Sequence, residues 1–243
     1  MNLAIFSRKA HKWLSLFVGV QIVLWTISGF YMVVVDLDFI HGDPLVRNLK
    51  VPLSVQSDRI PFAEAGRSHS EVTQISLRSL PGMVTPVYEV TTRGRKVLLD
   101  ASNGQQLSPL ANDTIKSLAT SYYAGKGELV SVTLLERDPP LEIQTRPLPL
   151  WRADFDDWLE TSLYLHPDTG VLVTRRHRFW RWFDFLWMLH IMDYDQRTDM
   201  NNGLLRASTV LAGITVISGM WLLYFSFRRK RSSVANTQRV DAS

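Results

Sequence analysis

The sequence of 243 residues contains no cysteine. This absence excludes a disulfide-stapled scaffold, a zinc site with cysteine ligands, an iron–sulfur cluster and a thiol-dependent enzyme. Four patterns of catalysis or nucleotide binding are also missing: GxSxG, HExxH, the Walker A sequence and GxGxxG. The chain therefore lacks the signatures of a serine hydrolase, a zinc peptidase, a P-loop enzyme and a dinucleotide-dependent oxidoreductase.

The positive charge is confined to the two ends of the chain. Residues 1–35 contain three basic side chains and no acidic one, and residues 204–243 contain six basic side chains and one acidic. Residues 36–203 contain 18 basic and 22 acidic side chains, although the formal net charge of the whole chain is +4. A nucleic-acid-binding protein concentrates basic charge on its folded domain, so this distribution excludes that class.

Each basic end flanks a long uncharged segment. Residues 13–35 and 207–227 carry no charge, and at about 1.5 Å per residue each is long enough to cross a hydrocarbon core of roughly 30 Å. We predict transmembrane helices at 13–35 and 204–227. The positive-inside rule then places both ends, 1–12 and 228–243, in the cytoplasm. The first segment is longer than a signal-peptide core and precedes no small-x-small cleavage site, which favours an uncleaved signal-anchor.

Residues 36–203 then lie outside the cytoplasm, in the periplasm of a bacterium. These features predict an α+β protein of the bacterial inner membrane, with the lipid bilayer as its first partner.

Small residues on both spans favour close packing of helices, either within the chain or between two copies in a homodimer. They are Ser15, Gly19, Thr26 and Gly29 on the first span, and Ser208, Ala212, Thr215 and Gly219 on the second.

A pattern of one helix, one strand and a hairpin occurs twice in the central segment. Residues 87–107 and 152–172 each alternate as two strands and then reach a turn rich in Asp, Asn, Thr and Gly. Gly104 and Gly170 supply the left-handed backbone of these turns. The simplest packing of each repeat is a helix covering one face of an antiparallel sheet.

The helix of the second repeat has the clearer pattern. The apolar positions that recur at the spacing of one helix face are Ile115, Leu118, Ala119 and Tyr122. Asn112 or Asp113 is the candidate N-cap, and residues 129–135 are the strand that follows.

The first span carries a recognisable set of residues. They are Arg8, His11, Trp13, Leu14, Gly19, Trp25, Ser28, Gly29 and Tyr31. On these positions the span resembles the PepSY-associated transmembrane helix, and the two repeats with their turns resemble PepSY domains. The aromatic segment 180–190 resembles the segment before a later span of that family. The resemblance covers most of residues 8–227.

The resemblance implies a plan for the central segment. Two PepSY-like units occupy 36–109 and 110–177, and 178–203 holds an aromatic helix and a connector. Because Trp and Arg alternate in this helix, we place it at the membrane interface; the alternative is that it packs against the PepSY-like domain.

The resemblance also implies a function. Some larger relatives resemble ferric-siderophore reductases whose b-type haem is held by membrane histidines, and PepSY units also occur as modules that modulate peptidases. We expect a periplasmic binding or accessory domain that supports iron or redox handling, possesses no catalytic site of its own and works with a membrane redox or transport partner. The alternatives are a haem-b electron-transfer protein, as a homodimer or with a reductase partner, and a peptidase-modulating module.

Two histidines at predicted membrane boundaries match the family pattern and are the candidate haem ligands. His11 lies at the cytoplasmic end of the first span and His190 near the extracytoplasmic end of the second. A core of roughly 30 Å separates these levels, so one chain cannot bring both to one iron. A haem would need two copies of one histidine in a symmetric dimer, or a partner's ligand. The alternative is that both are interfacial histidines bonded to backbone or lipid headgroups.

A run of carboxylates in the second repeat raises the question of a metal. Asp154 and Asp156 share one face of a strand and Asp157 follows, so the run could bind a cation such as Ca²⁺ or ferric iron. The alternative is a solvated strand edge. Nearby, His177 lies among arginines, which disfavour its protonation.

Overall fold

Two antiparallel sheets and two long apolar helices give the chain an α+β architecture. A computed structural model describes residues 3–49, 51–53, 58–67 and 69–240. The chain divides into two units, which we name unit one (Met1–Val34 with Asp184–Ser243) and unit two (Val35–Phe183). The coarse fold class, α+β with two helices that could cross a membrane, is confirmed.

The elements follow one another in a simple order. The α-helices are α1 (Leu3–Val34), α2 (Leu37–His41), α3 (Phe62–Ala65), α4 (Asn112–Tyr122), α5 (Arg178–Ile191) and α6 (Gly203–Val240). The strands are β1 (Val72–Arg78), β2 (Val87–Thr92), β3 (Lys96–Asp100), β4 (Leu129–Leu135), β5 (Leu150–Phe155), β6 (Ser162–Leu165) and β7 (Leu172–Arg176). Short 3-10 helices occupy Asp43–Leu45 and Leu141–Ile143.

Helices α1 and α6 contain the apolar segments of unit one. The segment Arg8–Val34 has 27 residues and a mean hydropathy of 1.8, and Gly203–Tyr224 has 22 residues and a mean hydropathy of 1.6. Both exceed the roughly 20 residues that a helix needs to cross a bilayer. The side chains along them are largely exposed to the surroundings, as expected of helices that face lipid.

The contact between α1 and α6 uses part of the predicted stripe of small residues. Gly219 lies against the His11 ring, and a Cβ at this glycine would be 3.1 Å from His11 Cε1. Thr215, one turn earlier, is buried. Gly19 has no atom within 4 Å of its Cβ position and Thr26 is exposed. The packing within one chain therefore runs through the middle of α6 beside His11 and omits half of the α1 stripe.

Unit two contains both repeats, each with a helix followed by a sheet. The first sheet has the antiparallel order β1-β2-β3 and follows α3. The second has the order β4-β5-β6-β7 and follows α4. The predicted order of helix and three strands is confirmed in the first repeat, whereas the second repeat adds β7.

The extra strand is missing from the first repeat because a side chain ends the pairing there. After the turn at Gly104, the Leu107 N–H donates to the Leu98 carbonyl at 2.8 Å. The Leu98 N–H then donates to the hydroxyl oxygen of Ser108 at 2.7 Å instead of to a backbone carbonyl. Pro109 follows and has no N–H to continue a ladder. In the second repeat β7 pairs with β6 from Leu172 to Arg176.

The two repeats share one hydrophobic core. Helix α4 contributes Ile115, Leu118 and Ala119, which are fully buried, so the predicted helix face is confirmed. The core takes residues from both sheets, namely Val87 and Leu98 from the first and Ala153, Phe155, Leu163 and Leu165 from the second. The predicted N-cap is wrong: Ala111 caps α4 without a side-chain hydrogen bond, and Asn112 and Asp113 lie in its first turn.

Residues of the first repeat also bind the turn of the second. The Ser108 hydroxyl donates to the Asp168 carbonyl at 2.5 Å, and just after it Leu110, already in the second repeat, donates its N–H to the Pro167 carbonyl at 2.8 Å. Arg78 on β1 donates to the Thr169 carbonyl at 3.0 Å. The two repeats are therefore joined by hydrogen bonds as well as by their common core.

A buried ion pair holds the first turn of α5 on unit two. Arg181 Nε donates to Glu142 Oε2 at 2.6 Å, and the Tyr164 hydroxyl donates to Glu142 Oε1 at 2.5 Å. Burial and the neighbouring Glu142 carboxylate raise the pKa of Tyr164, which stays protonated and remains a donor. Arg181 also donates to the Glu160 carbonyl at 2.8 Å. The aromatic helix predicted within 178–203 is present as α5, Arg178–Ile191; its place at a membrane interface remains a prediction.

The turns at Gly104 and Gly170 are equivalent in the two repeats, as predicted. Gly104 donates to the Asp100 carbonyl at 2.8 Å and Gly170 to the His166 carbonyl at 2.9 Å. Both have a left-handed backbone, with φ of 73° and 63°. A Cβ would lie 2.9 Å from Ile60 Cδ1 at Gly104 and 2.6 Å from Leu118 Cδ1 at Gly170.

Alanine at either turn should therefore destabilise unit two. We expect Gly104→Ala and Gly170→Ala each to lower the free energy of unfolding by about 1–3 kcal/mol, from the left-handed backbone and the crowded Cβ. Gly94→Ala is the matched control, because no atom lies within 4 Å of its Cβ position. Thermal unfolding in detergent, followed by circular dichroism, measures the difference. Equal stability of all three variants would contradict the cost assigned to the left-handed backbone and crowded Cβ positions at Gly104 and Gly170.

Candidate functional site

Both ring nitrogens of His11 are engaged by serines. With the ring proton on Nδ1, His11 donates to the Ser218 oxygen at 2.7 Å, and the Ser218 hydroxyl donates to the Thr215 carbonyl at 2.8 Å. His11 Nε2 is then unprotonated and accepts from the Ser15 hydroxyl at 3.3 Å. His11 therefore joins α1 to α6, and its lone pair is already in use.

His190 also has a serine at Nδ1, but unlike His11 it has no second serine at Nε2. With the ring proton on Nδ1, His190 donates to the Ser28 oxygen at 2.8 Å, and the Ser28 hydroxyl donates to the Leu24 carbonyl at 2.7 Å. The lone pair of Nε2 has no hydrogen-bond partner among the described residues. The ring of Trp187 lies parallel to the imidazole, with centroids 6.4 Å apart. A histidine oriented through Nδ1–H, with Nε2 available, has the form found in metal and haem ligands.

The two histidines occupy different levels of unit one. Ser28, which binds His190, lies 17 positions after His11 in the same helix, a separation of about 25 Å at the rise of an α-helix. They cannot ligate the same metal ion within one chain. His190 is also placed differently from the sequence-based description, because it lies at the end of α5 beside α1.

The end of α5 is capped by side chains from other parts of unit one. Trp25 Nε1 donates to the His190 carbonyl at 2.8 Å, and Gln21 Nε2 donates to the Leu189 carbonyl at 3.4 Å. Asn202 Nδ2 donates to the Ile191 carbonyl at 2.8 Å, while its Oδ1 accepts from the Leu205 N–H at the start of α6. Sequence reasoning missed these contacts; the signal was Gln21, the most polar side chain of an otherwise apolar span.

The carboxylates of the second repeat accept hydrogen bonds from neighbouring protein groups. Asp154 binds Arg152 and Ser162, at 2.8 and 2.6 Å. Asp157 accepts from the Thr161 N–H and hydroxyl and from the Tyr123 hydroxyl, at 2.7 to 2.8 Å. Within the described residues, no group of three or more His, Cys, Asp or Glu could hold a metal ion. The geometry favours neither a metal site nor a freely solvated strand edge.

The connector before α6 is organised by one aspartate. The Asp193 carboxylate accepts backbone N–H groups, which lowers its pKa, with the bond from Asp199 having the largest effect. Close by, Arg197 and Asp184 form an ion pair in which both side chains are mostly buried. The run of acidic residues in this connector therefore shapes the loop by accepting its backbone donors.

A groove of about 510 Å³ opens on unit two beside α4 and β7. Its apolar lining comes from Val46, Leu49 and Leu172, and its polar lining includes Arg47 and Asn48. This volume is typical of a small-molecule site, and such sites combine an apolar wall with a few polar groups.

The polar groups of the groove are available to a ligand. Arg175 is paired with Asp43, whereas Arg47 makes only a long hydrogen bond, 3.5 Å to the Ser121 carbonyl, within the described part of the chain. The Asn48 amide and the Tyr122 hydroxyl have no hydrogen-bond partner among the described residues. Burial raises the pKa of Tyr122, so its hydroxyl remains a donor. One unpaired cation and neutral donors beside apolar side chains favour an organic anion with an apolar body.

His177 is a buried neutral histidine. Its Nε2 donates to the carbonyls of Phe39 and Ile40, at 2.9 and 3.0 Å, and its Nδ1 is buried without a partner in the described residues. Burial lowers its pKa, the Arg181 cation acts in the same direction, and Asp157 acts in the opposite one. The lowered pKa agrees with the expectation that protonation of His177 is disfavoured. The larger cause of the lowered pKa is burial rather than the neighbouring arginines.

Comparisons of the chain with protein-family models, with curated proteins and with solved structures gave no match. The resemblance to PepSY proteins therefore rests on the residues of the first span, the two repeats and the aromatic segment.

The lowered pKa of His177 predicts a loss of stability in mild acid. An unfolded histidine binds a proton near pH 6.5, so below that pH the unfolded chain holds more protons than the folded one. Stability then falls with pH by at most about 1.4 kcal/mol per pH unit, until the folded pKa is reached. His177→Gln keeps a donor for the two carbonyls and does not titrate.

We expect the stability difference between the wild-type protein and H177Q to shrink as the pH falls below 6.5. Thermal unfolding midpoints at several pH values measure it. A difference independent of pH would contradict the assignment of a neutral buried histidine.

Proposed function

We propose that the protein is anchored in the bacterial inner membrane by α1 and α6, with residues 36–203 in the periplasm as two PepSY-like units. Two apolar helices of sufficient length and the basic charge at both ends of the sequence support this topology. The domain binds a ligand or partner in iron or redox handling and performs no catalysis of its own.

The observation that carries the binding function is the groove on unit two. Arg47 is an unpaired cation in a segment that is otherwise acidic, and Leu49 and Leu172 provide an apolar wall. A carboxylate attached to a branched apolar group satisfies both features. Such a group is carried by small organic acids and by the carboxyl-terminal residue of a partner protein.

Binding of a simple carboxylate tests the groove. We expect N-acetyl-leucine to bind the full-length protein in lipid nanodiscs, and the neutral N-acetyl-leucinamide to bind less well. Because a hydrogen bond to a charged group contributes about 1.5–3 kcal/mol, Arg47→Gln should weaken binding about tenfold or more. Saturation-transfer NMR measures the binding.

Arg95→Gln is the matched control, since Arg95 is an exposed arginine of the β2–β3 turn. Equal binding by the wild type, R47Q and R95Q would contradict the groove as the binding site.

A second function is favoured by the free Nε2 of His190. A haem b would supply one-electron transfer, and of the two candidate ligands His190 fits it better, because Ser15 occupies the Nε2 of His11. One chain offers one such ligand, so a second copy of the chain or a redox partner would provide the other. Ser28 would orient the imidazole through its Nδ1–H.

This function predicts a b-type haem band in a reduced-minus-oxidised spectrum of the protein purified in mild detergent. We expect His190→Ala to abolish the band and His11→Ala to retain it. Ser28→Ala keeps the ligand but removes its orienting hydrogen bond, and it should weaken haem affinity about 10- to 100-fold. Circular dichroism checks that each variant is folded. A wild-type protein without the band, or a band lost in H11A but kept in H190A, would contradict this function.

A further inference from the structure

Unit two exposes large apolar side chains that come from three distant segments. Leu37 on α2 is 53% exposed, Trp158 in the β5–β6 loop is 67% exposed and Trp182 on α5 is 57% exposed. Exposed apolar surface of this kind, when its members lie together, marks an interaction site.

Aromatic contacts show that the three segments meet. The ring of Phe179 on α5 lies 5.2 Å from that of Phe39 on α2 and 6.0 Å from that of Trp158, both edge-on. Phe39 also packs on the buried ring of His177, at 5.4 Å. We name this surface the aromatic patch and define it as Leu37, Phe39, Trp158, Phe179 and Trp182.

The edge of the aromatic patch is charged. Arg178 and Glu160, the neighbours of Phe179 and Trp158 in their segments, form an ion pair, and both side chains are substantially exposed. Arg176 stacks on the ring of Trp180, 3.8 Å above its centroid. Apolar rings bordered by arginine and tryptophan are typical of surfaces at the boundary between lipid headgroups and acyl chains.

Two members of the aromatic patch lie close in sequence to the points where the chain passes between the two units. Leu37 follows Val34, the last residue of α1, by three positions, so the chain can place it no more than about 10 Å from the end of that helix. Trp182 precedes Asp184, where the chain returns to unit one, by two positions. Trp158 is far from both crossings in sequence, and its contact with Phe179 brings it to the same surface.

We propose that the aromatic patch inserts into the outer-leaflet interface of the bilayer, so that Trp158 forms a membrane contact separate from the spans. The patch is occupied by lipid, and it fixes the face that unit two turns to the membrane. This inference rests on the proposed topology, in which α1 and α6 cross the bilayer.

The absence of native cysteine allows a direct test in the full-length protein. Single variants Trp158→Cys and Leu37→Cys are labelled with a nitroxide and reconstituted into phosphatidylcholine–phosphatidylglycerol vesicles. Electron paramagnetic resonance then measures the accessibility of each label to oxygen, which concentrates in the bilayer, and to a nickel chelate, which stays in water. Val84→Cys is the aqueous control, because Val84 is 95% exposed on unit two. Val20→Cys, at an exposed position of α1, reports on the span.

We expect the ratio of oxygen to nickel accessibility at W158C and L37C to exceed that at V84C several-fold and to approach that at V20C. Nickel accessibility at W158C equal to that at V84C, with V20C in the bilayer, would overturn the aromatic patch as a membrane contact. A W158C label shielded from both reagents would assign the patch to a protein partner and also overturn the proposal. A nickel-accessible V20C would instead overturn the proposed topology.

Discussion

A helix that ends beside an apolar neighbour must find hydrogen-bond donors for its last carbonyls, and unit one is arranged around this requirement at the end of α5. Gln21 and Trp25 on α1 and Asn202 before α6 donate to three successive carbonyls there. An unpaired carbonyl is costly wherever water is excluded. The same placement brings His190 to Ser28, so the orientation of the candidate ligand depends on the capping of the helix that carries it.

Unit two depends on a different combination, a shared apolar core and two nearly buried carboxylates, Glu142 and Glu89, that are each paired. Glu142 receives Arg181 and Tyr164, and Glu89 receives Arg78 and Lys96. Removal of one partner from such a site leaves a buried charge, which destabilises a fold more than the intact pair stabilises it. This scaffold positions the groove and the aromatic patch. The side chains of the patch lie on the short helix α2, the β5–β6 loop and the first turns of α5.

Local periodicity predicts the features that depend on neighbours in sequence. The apolar lengths of α1 and α6, the buried face of α4 and the turns at Gly104 and Gly170 all follow from spacing or composition. The strand predicted at 129–135 coincides with β4. The predicted N-cap of α4 is wrong because Asp113 is also favourable in the first helical turn. Residue type alone therefore did not locate the first residue of the helix.

Contacts between distant positions could not be read from the sequence in the same way. Trp25 and His190 are separated by 165 positions, and Arg181 and Glu142 by 39. Nothing in the spacing indicates that Trp158 meets Phe179, or that Ser15 contacts Nε2 of His11 while no described residue bonds Nε2 of His190. The candidate ligands could therefore be named from a family resemblance, but His190 could be separated from His11 only by the serine contacts of each imidazole ring.

The hydrogen bonds from Ser108 and Arg78 to the turn at 168–169 determine how such a domain can be divided. A duplicated sequence suggests two modules that could be separated, shuffled or expressed alone. Here each half would leave polar groups and apolar surface unmatched, and α4 would lose one of its two sheets. Because the two halves share the core around α4 and bond to one another, we expect them to unfold together rather than as separate modules.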